Sequence, residues 1–99
     1  MQEVKNKETG NNDNLFSVYK RTKDKKIRDK LIEKYLFIAE IMAKKYVNKG
    51  VEYEDLFQVS SMALIKAIDK FDVDKGVKFS TFATPSIMGE IKNYFRDKS

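Results

Sequence analysis

From residue 15 onward, apolar side chains return every three or four positions almost to the end of the chain, the spacing of one face of a helix. Ahead of that, Met1 to Asn14 is polar, holds Gly10 followed by Asn11, Asn12 and Asp13, and carries one aliphatic residue, Val4. It reads as a disordered tail. Asn14 is placed to cap a short helix over Leu15 to Thr22, whose apolar side is Leu15, Phe16 and Tyr19. A long helix is predicted from about Asp24 to Asn48, with Ile27, Leu31, Tyr35, Ile38 and Met42 on one face. Between Tyr35 and Ala43 only Glu40 is polar, so that stretch packs on more than one side. Asn48, Lys49 and Gly50 supply its stop, Gly50 being suited to a left-handed cap.

The next helix, about Tyr53 to Phe71, has two unlike faces. At 100° per residue Leu56, Ala63, Leu64, Ala67 and Phe71 fall on one side as a core stripe. Opposite them lie Asp55, Gln58, Met62, Ile65 and Asp69. Met62 and Ile65 among polar neighbours, turned from the core, suggest a surface for another protein; scattered surface apolar residues are the competing account. A turn at Asp74, Lys75 and Gly76 leads to Phe79–Pro85 and a last helix reaching about Asp97. Its start has two solutions: Ser80 caps it, or Thr84 caps it with Pro85 in the favoured first position. Ala83, Ile87, Ile91, Tyr94 and Phe95 form its inner stripe, and Pro85, Gly89, Lys92, Asn93 and Arg96 its outer one. No alternating strand pattern occurs, so the fold class is all-α: three main helices and a short N-terminal one.

Composition narrows the function classes. The 99 residues suffice for a single core. With no Cys and no His, zinc and haem ligand sets and Cys/His or Ser/His nucleophiles cannot be assembled, and no cofactor or metal is expected. No apolar run reaches membrane-spanning length and no signal-peptide core is present, which points to a cytoplasmic location. The net charge of +5 falls entirely within residues 1–48, densest over Lys20 to Lys30. A basic domain favours a polyanionic partner, yet a solvated lysine-rich helix face accounts for the same charge. Glu52, Glu54 and Asp55, or Asp69, Asp72 and Asp74, sit at helix ends and turns, where capping explains them better than acid/base chemistry. Asp72, Asp74 and Gly76 lack the remaining ligands of a calcium loop. No enzyme is expected.

The outer stripe of the last helix carries chemistry of another kind. Lys92 and Arg96 are one turn apart, Asn93 lies between them, and Gly89 leaves a place without a side chain. Such a face can approach a DNA backbone, basic groups on phosphates and Asn or Lys on base edges. Before it lie Phe79 and Phe82 among Ser80, Thr81 and Thr84. Aromatics beside hydroxyls and a basic helix suit stacking on exposed bases. Both phenylalanines also admit a core reading, Phe79 the more readily.

The segments DLFQVSSMALIKAIDKFD (Asp55 to Asp72) and KGVKFSTFATPSIMGEIKNYFRDKS (Lys75 to Ser99) closely resemble region 2 of bacterial sigma factors. TFATPSIMGEI followed by NYFRD is most similar to the general-stress and sporulation class, the sigma-B, sigma-F and sigma-G types. The resemblance covers about Leu31 to Ser99. It implies a region 2 domain over 15–99, ending where the family continues into regions 3 and 4. It further implies a transcription initiation factor whose Asp55, Gln58, Met62 and Ile65 face docks on the clamp helices of the RNA polymerase β′ subunit. The Phe79–Pro85 segment then corresponds to the part that captures flipped non-template bases of the minus-ten promoter element, with Phe82 at the stacking position. Gly89 and Lys92 align with duplex-facing sites of the last helix, and an anti-sigma factor is implied as inhibitor. On the resemblance Pro85 and Ser86 stand where housekeeping factors have a tryptophan pair that wedges the duplex, so Phe82 acts with less aromatic support. Ser60 and Ala63 replace glycines, and both are small. The rivals are a helix-turn-helix regulator preferring closed duplex and a helical adaptor with no DNA role.

Overall fold

The computed structural model describes residues 11–47 and 50–98, which form helices α1 (Asn11–Thr22), α2 (Lys25–Lys45), α3 (Tyr53–Lys70) and α4 (Phe79–Lys98), with a 3-10 turn at Val73–Lys75. No strand occurs among the described residues. α3 lies between α2 and α4, and α1 packs across α2 and the 3-10 turn.

The α1 helix starts at Asn11, so Asn14 is inside it rather than at its cap, and 11–14 are not tail. Once Phe16 and Tyr19 dock, adding polar turns ahead of them costs little, because propagation is cheap after nucleation. The tail reading of residues 1–10 lies outside the described residues. α1 ends at Lys23, whose φ of 55° is left-handed and whose N–H donates to Tyr19 O at 2.7 Å. The Thr22 hydroxyl accepts from Asp24 N and donates to Val18 O, and the Asp24 carboxylate caps α2 by accepting from Lys26 N at 2.9 Å. These bonds make a two-residue corner and press α1 onto α2.

The α2 helix stops at Lys45, three residues before the predicted end, and is capped by Tyr46 at φ −108°; Gly50 does take a left-handed φ of 90°, but beyond the helix rather than as its cap. Asn48 and Lys49 lie outside the described residues. The α3 helix ends at Lys70 because Phe71 turns extended, at ψ 137°, and swings its ring into the core. There Phe16, Tyr35, Phe71 and Phe79 enclose one another, with centroids 4.5 Å apart for Tyr35–Phe79 and 4.7 Å for Phe16–Phe71. Each such pair adds about 0.5–1.5 kcal/mol beyond burial. Ser60 is fully buried on α3 and its hydroxyl has no partner among the described residues, so the position selects for small size rather than hydrogen bonding.

Neither proposed cap starts α4. It begins at Phe79, ahead of Ser80 and Thr84, and carries Pro85 in its interior. Phe79 is drawn into the aromatic cluster, which fixes the first turn. Pro85 lacks the N–H that would bond Thr81 O. That side of the helix is exposed, and the Thr84 hydroxyl bonds Ser80 O at 2.8 Å one residue away. Of the predicted inner stripes, Leu56, Ala63, Leu64, Ala67 and Phe71, and then Ala83, Ile87 and Ile91, are buried, while Tyr94 and Phe95 at the end of α4 are half-buried.

Candidate functional site

Two faces predicted from residue spacing are exposed side by side. On α3, Asp55, Gln58 and Met62 are exposed and Ile65 is half-buried. Met62 is 62% exposed, a large apolar side chain left in water at mid-helix. On α4, Thr81, Gly89, Lys92, Asn93 and Arg96 are exposed, and their spacing aligns them along one side of the helix. Arg96 pairs loosely with Asp97 at 3.6 Å, both largely in solvent.

The phenylalanine segment divides. Phe79, proposed from sequence as a DNA-binding residue, is 2% exposed and belongs to the aromatic core; no ligand reaches its ring. One turn of α4 sets the side-chain direction, and Phe79 falls on the buried side. Phe82, three residues on, is half-buried: one side of its ring packs on Phe71 at 5.6 Å and it lines an open cleft. Ser80 and Thr84 are half-buried and joined by their own side-chain-to-backbone bond, so they contribute to holding the first turn of α4.

The cleft, of about 260 Å3, runs between α3 and α4 and is walled by Lys66, Ala67, Lys70, Phe82, Pro85, Ser86, Gly89, Glu90 and Asn93. Gly89 has open space where a Cβ would stand, so its lack of a side chain widens the cleft mouth rather than relieving a contact. Lys66 and Glu90 pair across it at 3.8 Å. A neighbouring groove, lined by Val59, Met62, Tyr94 and Asp97, shares Lys66, Glu90 and Asn93. Lys66, Lys70 and Glu90 were not singled out from sequence. The signal was present: Lys66 and Lys70 are one turn apart on the flank of the α3 core stripe, the same spacing that marks Lys92 and Arg96.

At the C-terminal end of the outward α3 face, Asp69 is engaged by α1, which is also tied to the 3-10 turn. The Tyr19 hydroxyl donates to Asp69 at 2.5 Å, and Lys20 pairs with Asp72 at 3.2 Å. Burial, then the Asp69 bond, push the Tyr19 phenol up to about 12. The Asp72 carboxyl is held low by the backbone N–H of Asp74 that it accepts, and by Lys20. The arrangement is therefore an aromatic ring in a basic-walled cleft, beside an exposed apolar and acidic helix face. It is suited to binding; no group of three or more possible metal ligands occurs among the described residues.

An all-α bundle is what the sequence resemblance implied, and comparison with known proteins gives the family. Residues 31–99 match the family described as Sigma-70 region 2, so the chain belongs to that family. It is 45% identical to the RNA polymerase sigma-F factor of Bacillus licheniformis over 74 residues, 75% of this chain and 29% of that protein. It is 44% identical over 72 residues to the RNA polymerase sigma-G factor of Clostridium acetobutylicum, covering 73% of this chain and 28% of the relative. To the RNA polymerase sigma factor SigA of Synechocystis it is 42% identical over 76 residues, 77% of this chain and 18% of the relative. The chain thus spans less than a third of the length of these relatives. α1 and the first turns of α2 precede the matched residues, although Phe16 and Tyr19 complete the core.

Proposed function

We propose that this chain is the region 2 domain, over 15–99, of a transcription initiation factor of the sigma-F and sigma-G kind. It docks on RNA polymerase core and holds unpaired non-template bases of a minus-ten promoter element. Asp55, Gln58, Met62 and Ile65 form the polymerase-docking face, directed at the β′ clamp helices. The DNA face comprises Thr81, Phe82, Gly89, Lys92, Asn93 and Arg96, with Lys66 and Lys70 added from the opposite wall of the cleft. Ser80 and Thr84 shape this face from behind. An anti-sigma factor covering the α3 face is the proposed inhibitor, and the working location is the cytoplasm, at the nucleoid.

The observation that carries this reading is the Phe82 ring, fixed from behind by Phe71 and turned into a cleft walled by lysines. No bond is made or broken. Stacking a base on an aromatic ring is worth roughly 1–3 kcal/mol, comparable to the cost of unstacking it from a duplex, and phosphate contacts add to the balance. With Pro85 and Ser86 beside it, Phe82 supplies the aromatic surface of the cleft alone. In a complex of the chain with polymerase core, single-stranded non-template minus-ten DNA should bind more tightly than closed duplex. Phe82→Ala should weaken the single strand by tenfold or more in a fluorescence-anisotropy titration. Equal or tighter binding of closed duplex would favour a helix-turn-helix regulator instead.

A further inference from the structure

Glu90 is out of place in a surface that binds a polyanion. Lysines wall the cleft at 66 and 70, and Lys92 and Arg96 stand on the adjoining exposed stripe of α4. A carboxylate among them repels phosphates, so it weakens rather than aids backbone binding. It does not repay this through stability either. The Lys66–Glu90 pair is 3.8 Å apart with the two side chains 59% and 43% exposed, and exposed pairs of that kind contribute little. What a carboxylate does well in a groove is accept hydrogen bonds from base amines, as Glu and Asp do from cytosine N4.

We infer that Glu90 is a specificity-determining residue: its carboxylate accepts the exocyclic amine of a non-template base stacked on Phe82, while Lys66 leaves Glu90 for that nucleotide's phosphate. This rests on the reading of the cleft given above. The geometry supports it in three ways. Phe82 and Glu90 line the same open cleft of about 260 Å3 from α4. Asn93, one turn beyond Gly89 on the same wall, offers both a donor and an acceptor to the rest of the base edge. Lys66 is on the facing helix, mostly exposed, with a long stem that reaches either the carboxylate or the solvent side where a backbone would run. Adenine, cytosine and guanine carry an exocyclic amine and thymine does not, so the site discriminates against thymine.

The test uses the chain bound to RNA polymerase core and single-stranded non-template oligonucleotides in which one base at a time loses its amine: purine for adenine, inosine for guanine, pyrimidinone for cytosine. At one position, amine removal should weaken wild-type binding about tenfold. In Glu90→Ala the same removal should have no effect, whereas Glu90→Gln, which keeps an acceptor, should retain a reduced effect. Circular dichroism of Glu90→Ala should match wild type, since the side chain lies in the open cleft. If no position depends on its amine, or if the dependence is equal in wild type and Glu90→Ala, the inference is overturned while the Phe82 reading stands. If wild type shows no preference for single strand over duplex, the reading of the cleft itself fails, and this inference with it.

Discussion

The aromatic pole under α1 and the cleft between α3 and α4 are made from the same kinds of residue, put to opposite uses. At the pole, rings face rings: Phe16, Tyr35, Phe71 and Phe79 leave no surface for a visitor, and Tyr19–Asp69 and Lys20–Asp72 tie the rim. In the cleft a single ring, Phe82, has a protein neighbour on one side and open space on the other. Phe79 and Phe82 are one helical turn apart, yet the first is 2% exposed and the second half-buried. The pole is therefore the anvil for the cleft. Phe71 touches both phenylalanines, so the packing that seals one also holds the other in place.

That division is broken most directly by truncating each ring. Phe79→Ala should cost about 3–5 kcal/mol, the usual penalty for emptying a sealed aromatic site, read as a lowered urea midpoint. Phe82→Ala should cost about 1–2 kcal/mol, because part of its ring is already in solvent. Its binding loss should be the larger effect. A Phe82→Ala variant as unstable as Phe79→Ala would mean the two rings share one role and the contrast is false.

The next effect sharpens the pole. The Tyr19 phenol lies near 12 in the folded chain against 10 when unfolded. A raised acid stabilises the fold in full below pH 10 and loses that contribution as the pH climbs towards 12. At about 1.4 kcal/mol per pH unit the loss has a ceiling of roughly 2–3 kcal/mol, reduced by solvent screening at the exposed Asp69 carboxylate. Tyr19→Phe has no proton to lose there. The stability gap between wild type and Tyr19→Phe should therefore narrow between pH 10 and 12, with the lysines titrating alike in both. A gap that stays constant through pH 12 would show that burial and the Asp69 bond do not hold the phenol.

Much of this was legible in the sequence, and the misses share a cause. Helical spacing placed the buried stripes of α3 and α4 and left Gln58 and Met62 on the outside, because periodicity reports which way a side chain points. It favoured Phe79 over Phe82 as the core ring without taking Phe79 off the DNA face, since that depends on where α4 begins. The start is set by a ring docking among partners up to 63 residues away, not by the local caps at Ser80 or Thr84. The cleft was invisible for a related reason. Lys66 and Lys70 belong to α3 and Glu90 to α4, and only the packing of those helices brings them to one groove. Asn11 to Asn14 were misjudged because polar residues carry no periodic signal, although a helix already fixed by Phe16 and Tyr19 extends through them at little cost.

The smallest expected stability change belongs to the outward face of α3, and it decides whether that face works independently of the cleft. Met62 is 62% exposed and Gln58 is exposed, so replacing either with Ala should shift stability by no more than about 0.5 kcal/mol. Met62 nevertheless lines the groove that shares Lys66, Glu90 and Asn93 with the cleft. If the α3 face is the polymerase dock, Gln58→Ala and Met62→Ala should weaken capture of the isolated β′ clamp segment severalfold. Binding of a non-template oligonucleotide to the complex, measured at saturating polymerase, should be unchanged for Gln58→Ala, which lies outside both grooves. Unaltered clamp affinity in both variants would remove the dock from this face and leave Met62 as an ordinary exposed apolar residue.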